Sequence, residues 1–159
     1  MDPNSKYLYA SYPNPVANAI GIFTIDPNTG APTQTSVFSL SVICPFCVPP
    51  SGPGELTLNP SGKFLYYASS TLGGGVSQGI GALAVDSAAG TLSVVTGSPF
   101  PADQAPFIVR VHPSGQFLYT ENIEPSGANL IALQSLSGFS VDPSTGALTP
   151  VPGSPSLRR

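Results

Sequence analysis

Arg110 and Glu121 are the residues whose type and position best suit chemistry, because each breaks a pattern that its neighbours keep. Only 8% of the 159 residues are charged, so a charged side chain on a strand needs a reason. Glu121 ends a strand expected over 116–121, where two related stretches carry Ser11 and Ala68. Arg110 falls on the strand expected just before it, over 107–111. A guanidinium can hold a carbonyl oxygen as it gains negative charge, and a carboxylate can polarise a water; ester hydrolysis asks for both. The same two side chains could instead satisfy each other as a buried ion pair. Glu55, Asn122 and Glu124 are secondary candidates for ligand contacts, with Asp103 beside them, as loop or strand-end residues that solvent could equally hold.

Other residue types give less. His112 opens a turn where its copies are Asp2 and Asn59, so it reads as a turn-stabilising polar group rather than a general base. Cys44-Pro45-Phe46-Cys47 has redox or half-zinc spacing, but there is no second Cys pair and no βαβ context. A short-loop disulfide or two reduced thiols under the loop are the readings left. Gly73-Gly74-Gly75 lacks a following Lys-Ser or Lys-Thr and reads as a flexible connection rather than a phosphate loop. No nucleophile elbow, metal cluster or cofactor motif is present, and neither a metal nor a cofactor is expected.

The elements that must position these residues are repeats. His112-Pro113-Ser114-Gly115-Gln116-Phe117-Leu118-Tyr119 has copies in Asp2-Pro3-Asn4-Ser5-Lys6-Tyr7-Leu8-Tyr9 and Asn59-Pro60-Ser61-Gly62-Lys63-Phe64-Leu65-Tyr66. Each is a Pro-led tight turn feeding an aromatic-Leu-Tyr strand. In step with it run Ile25-Asp26-Pro27-Asn28-Thr29-Gly30, Val85-Asp86-Ser87-Ala88-Ala89-Gly90 and Val141-Asp142-Pro143-Ser144-Thr145-Gly146, each a strand end followed by an Asp-opened turn closed by Gly. Gly97-Ser98-Pro99-Phe100 and Gly153-Ser154-Pro155-Ser156 form a third series. The period is a little over about 50 residues, the range of propellers, solenoids and arrays.

A full repeat predicts four antiparallel strands, the blade of a β-propeller. The third gives 107–111, 116–121, 131–141 and 147–152; the second gives 55–58, 63–68, 79–85 and 91–96. The first gives only 6–11, 19–25 and 33–39 and lacks the innermost strand. The expected fold is therefore all-β, a single partial propeller over 1–159, with blades at about 2–40, 53–99 and 106–155. Composition agrees: 19 Pro and 17 Gly suit many turns, while a 41% hydrophobic fraction suffices for a core. A net charge of −3 gives no footprint for nucleic acid, and no apolar run is long enough to span a bilayer.

The pattern Pro-Ser-Gly-(Lys/Gln)-Phe-Leu-Tyr followed by Phe139-Ser140-Val141-Asp142-Pro143-Ser144-Thr145-Gly146-Ala147-Leu148-Thr149-Pro150 resembles the lactonase-type (6-phosphogluconolactonase-like) seven-bladed propeller family over the whole chain. That resemblance implies sugar-lactone hydrolases, a muconate-cyclising enzyme and many repeat proteins of other use. For the enzyme members it also implies a His directly after a Pro at the start of the inner strand. Here Pro106 and Pro53 stand where that Pro is expected, but Phe107 and Gly54 follow them.

Function is thus expected on the face carrying the loops 12–18, 69–78 and 122–130 with the blade-to-blade loops 40–54 and 97–106. The main expectation is a binding or interaction scaffold, part of a longer propeller and without catalysis in this chain alone. The alternative is a sugar-lactone hydrolase or related isomerase whose other site residues lie on further blades. A purely structural repeat protein is the third. Partners expected are a sugar lactone or a protein, with self-association through open blade faces; the candidates there are Leu8, Ile22, Phe23 and Ile25 at one end and Phe139, Val141, Leu148 and Val151 at the other. An upstream signal peptide would make the protein secreted or periplasmic; otherwise the expectation is cytoplasmic.

Overall fold

Three turns of one design set the spacing of the strands. The Asp26 carboxylate accepts the backbone N–H groups of Asn28 and Thr29 at 2.8 and 3.0 Å. Asp86 accepts those of Ala88 and Ala89 at 2.9 and 3.0 Å, and Asp142 those of Ser144 and Thr145 at 2.8 and 2.9 Å. Each turn closes on a left-handed glycine, Gly30, Gly90 or Gly146, with φ of 72°, 68° and 76°. The amide groups favour the charged acceptor, so the Asp26 and Asp142 carboxyls are held below the ordinary range, chiefly by Thr29 and Thr145.

The computed structural model describes residues 6–14, 17–40, 53–69, 79–103, 105–126 and 130–157. The strands are β1 (Tyr7–Asn14), β2 (Ala17–Ile25), β3 (Pro32–Ser39), β4 (Pro53–Leu58), β5 (Phe64–Ser69), β6 (Gly79–Asp86), β7 (Thr91–Val94), β8 (Phe100–Pro101), β9 (Pro106–Val111), β10 (Phe117–Ser126), β11 (Leu130–Val141), β12 (Leu148–Pro150) and β13 (Ser156–Leu157). They form three antiparallel sheets ordered β1-β2-β3, β4-β5-β6-β7 and β9-β10-β11-β12, and no α-helix occurs among the described residues. These are three blades of a β-propeller; among the described residues the first has no strand inside β1, as the repeat predicts.

The extra short strands explain the Gly-Ser-Pro series. After β7 the chain leaves the sheet, the Ser98 hydroxyl accepts the Ala82 N–H at 2.9 Å, and β8 rejoins β6. After β12 the Ser154 hydroxyl accepts the Gly138 N–H at 2.9 Å, and β13 rejoins β11. The outer strand of each complete blade is therefore one strand in two pieces, bridged by a serine. The strands predicted at 91–96 and 147–152 are shorter than expected for that reason.

Side-chain alternation sends one face of each sheet to one neighbour and the other face to the next. Tyr7, Tyr9, Ile20 and Ile22 of the first blade pack with Leu65, Tyr67, Leu83 and Leu92 of the second. Phe64, Tyr66, Ile80 and Ala82 on the opposite face of the second pack with Val109, Leu118, Phe139, Val141 and Leu148 of the third. This corrects the expected open faces: Ile22, Phe139, Val141 and Leu148 are buried between blades, because the phase of the alternation turns them inward. Leu8, Phe23, Ile25 and Val151 are half-buried, and the third blade instead exposes Phe117, Tyr119 and Leu136.

Candidate functional site

The inner strands β4 and β9 lie side by side, so residues of two blades meet along them. Arg110 on β9 forms an ion pair with Glu55 on β4, and its guanidinium also donates to the Val109 carbonyl at 3.0 Å. The Arg110 side chain is 60% exposed and that of Glu55 32%, so water screens the pair and its contribution to stability is about 0–1 kcal/mol. Such a pair holds the guanidinium in place while leaving its outer edge open.

The predicted partner of Arg110 is thereby corrected. Glu121 is half-buried on β10 opposite Ile108, whereas Arg110 stands opposite Tyr119. The register sets the two on a cross-strand diagonal rather than directly opposite, and Arg110 pairs with Glu55 of the adjacent blade in place of Glu121. The signal was present in the repeats: Glu55 aligns with Ile108 and Arg110 with Thr57, so two opposite charges depart from the pattern on neighbouring inner strands.

Asn122 and Glu124 belong to β10, which runs on to Ser126, instead of to a loop. Glu124 pairs with Ala132 in the ladder, and its side chain lies outside the described part. Asn122 is wholly buried and donates to the Ser135 and Ser137 hydroxyls at 3.0 and 2.8 Å. The Ser135 hydroxyl donates to Asp103 at 2.6 Å, and the Asp103 N–H reaches Ser137 at 3.4 Å. A carboxylate on a serine hydroxyl is the start of a nucleophile-base pair, but Ser135 is 1% exposed and no substrate can reach it. The cluster ties the connection before β9 to the third blade. Gly54 and Phe107, which replace the two expected histidines, are neighbours: a Cβ at Gly54 would lie 3.4 Å from the Phe107 carbonyl. Phe107 is 41% exposed.

A cavity of about 620 Å³ opens on the other face, between the Asn59-Pro60-Ser61-Gly62 and His112-Pro113-Ser114-Gly115 turns. Lys63 is the one charged residue among its described lining, and no carboxylate or imidazole lines it. His112 bonds Ser114 within its own turn, at 2.9 Å between Nδ1 and the hydroxyl, as a turn-stabilising group does. Among the described residues no cluster of His, Cys, Asp and Glu could hold a metal, and no helix is long and apolar enough to cross a membrane. Cys44, Cys47 and Gly73 to Gly75 lie outside the described residues.

Three antiparallel sheets stacked face to face, with β4 and β9 as adjacent inner strands, define successive blades of a β-propeller. Solved structures with this fold include the periplasmic gluconolactonase of Pseudomonas aeruginosa, with a TM-score of 0.72 and 22% identity, covering 99% of this chain and 40% of that protein. A candidate 6-phosphogluconolactonase from Bacteroides uniformis matches at 0.72 and 20%, over 96% of this chain and 38% of its own. Another from Bacteroides fragilis matches at 0.71 and 20%, over 96% and 36%. The fold implied by the sequence resemblance is therefore the fold observed, and the chain spans well under half the length of these proteins. No protein-family model and no curated protein sequence matches the chain.

Proposed function

We propose that the chain supplies three blades of a sugar-lactone-hydrolysing propeller, with the lactone held in the channel beside β4 and β9. The observation that carries this reading is the Arg110–Glu55 pair, which anchors an exposed guanidinium on channel strands of a fold shared with a gluconolactonase. Hydroxide or activated water adding to a lactone carbonyl places negative charge on its oxygen, and Arg110 would hold that oxygen more tightly as the charge grows. Glu55 would fix the guanidinium by accepting one of its N–H groups. Glu121, on the neighbouring strand, is the carboxylate available to orient water, and Phe107 offers an apolar wall for the sugar ring.

Binding without turnover is the second reading, and Gly54 and Phe107 favour it because neither can serve as a base. Opening of glucono-δ-lactone and its 6-phosphate, followed by acid release in a pH-stat above the spontaneous rate, separates the two. The expected result is protein-dependent opening that falls about 100-fold in Arg110→Ala, the scale of losing one oxyanion donor, and less in Glu55→Gln. Saturable binding of the lactone by calorimetry with no opening supports the second reading. Neither opening nor binding refutes both.

A further inference from the structure

The third blade buries a polar cluster that the other two do without. Asn122, Ser135 and Ser137 are 0%, 1% and 2% exposed. At the same ladder positions the second blade carries Ser69, Gly79 and Gly81 and the first Tyr12, Ala19 and Gly21, so a blade forms without these polar groups. Burying a polar group costs free energy unless it is hydrogen-bonded, and the Asn122 Oδ1 has no partner among the described residues. What the cluster does is anchor Asp103. The Asn122 amide donates to both serine hydroxyls, Ser135 donates to the Asp103 carboxylate at 2.6 Å, and Ser137 meets the Asp103 N–H at 3.4 Å.

Asp103 leads into a strained stretch of backbone. Ala105 has a φ of 41°, the only non-glycine residue with positive φ among the described residues, and it directly precedes Pro106. Such a conformation persists only where its surroundings hold it. Ala105 is buried, its carbonyl accepts the Ile123 N–H at 3.2 Å, and the cluster grips the chain two residues earlier. Just beyond, β9 enters through a bulge: Pro106 stands opposite Asn122 and Ile108 opposite Glu121, which leaves Phe107 as the extra residue. A register shift occurs at the same place in β4, so the bulge belongs to the repeat while the polar cluster belongs to the third blade alone. A bulge re-aims the side chain it carries, so the placing of Ala105 sets where Phe107 points and where β9, with Arg110, begins.

We infer that Asp103, Asn122, Ser135 and Ser137 are positioning residues: they hold Ala105 in its strained conformation and thereby fix the entry of β9, placing Phe107 and Arg110 for a ligand. The identity of that ligand rests on the lactone site proposed beside β4 and β9; the fixing of β9 does not. A rigid entry matters because groups already held in place lose little freedom when a ligand arrives, and a displacement of about 1 Å can cost about 100-fold in rate.

The chain has no Trp, so Phe107→Trp places a single indole at the bulge as a reporter of local order. Three further changes are made in that background. Asp103→Ala removes the acceptor of the Ser135 hydroxyl, Asp103→Asn keeps one, and Ala105→Gly relieves the strain. Fluorescence anisotropy without ligand is expected to fall in Asp103→Ala and Ala105→Gly and to hold in Asp103→Asn. The urea midpoint is expected to rise in Ala105→Gly, since glycine suits a positive φ. Order at residue 107 and stability of the whole chain then move in opposite directions, which a merely structural cluster does not produce. Unchanged anisotropy in Asp103→Ala and Ala105→Gly, or a lower midpoint in Ala105→Gly, overturns the inference. With Phe107 restored, opening of glucono-δ-lactone is expected to drop by up to about 100-fold in the same two variants, and opening at the unmodified rate also overturns it. Neither opening nor binding by any form, with the anisotropy changes present, refutes the lactone reading and supports the positioning role by itself.

Discussion

Tyr66 shows how one side chain joins two blades. It is wholly buried, and its hydroxyl spans 80 positions of sequence to reach the Gly146 carbonyl. Burial, aided by the nearby Asp142 carboxylate, pushes its ionisation well above the ordinary tyrosine value, and burial alone pushes Tyr67 up to about 12. Both therefore remain neutral over the physiological range, Tyr66 as a hydrogen-bond donor. Tyr66→Phe would leave the Gly146 carbonyl without that partner, and the expected cost is about 1–3 kcal/mol in urea unfolding. Tyr119→Phe removes the same hydroxyl from an exposed repeat position and is expected to change the stability of the monomer by less than about 0.5 kcal/mol. Equal losses in the two variants would show that the interblade hydrogen bond is not what Tyr66 contributes.

Among the elements, the two-piece outer strand is the device that lets a blade end and the next begin. Val95 and Val151 still donate to the Ala82 and Gly138 carbonyls, so the ladder holds up to the break. Ser98 and Ser154 then supply an oxygen where the departing backbone cannot. Without it, the N–H of Ala82, a residue with no solvent exposure, would be left bare. Ser98→Ala is expected to cost about 1–3 kcal/mol, while Ser98→Thr, which keeps the oxygen, should recover most of it. Denaturant midpoints of the pair decide this, and an unchanged Ser98→Ala would mean that water replaces the hydroxyl.

At the scale of the molecule, the second blade is covered on both faces and its neighbours on one each. No sheet has a core of its own, since both clusters are shared between blades. Amide exchange should consequently be slowest in β5 and β6, which can open only when both interfaces separate, and faster in β2 and β3. Protection as high in β2 as in β6 would contradict this ordering.

The repeats by themselves determined the turn positions and the strands between them, because Pro, Asp and Gly control local dihedral angles wherever they fall. They also exposed Arg110 as a departure from pattern, since alignment of copies needs no knowledge of packing. Tertiary structure alone decided what Arg110 meets: strand register set Glu121 opposite Ile108, and the packing of β4 beside β9 brought Glu55 across from another blade. It likewise decided which apolar face is covered. Alternation says that residues two apart share a side, but Ile22 and Phe23 are both apolar, and only the neighbouring sheet shows that Ile22 turns toward it. Local chemistry specifies the element; the partner of each side chain depends on how the elements stack.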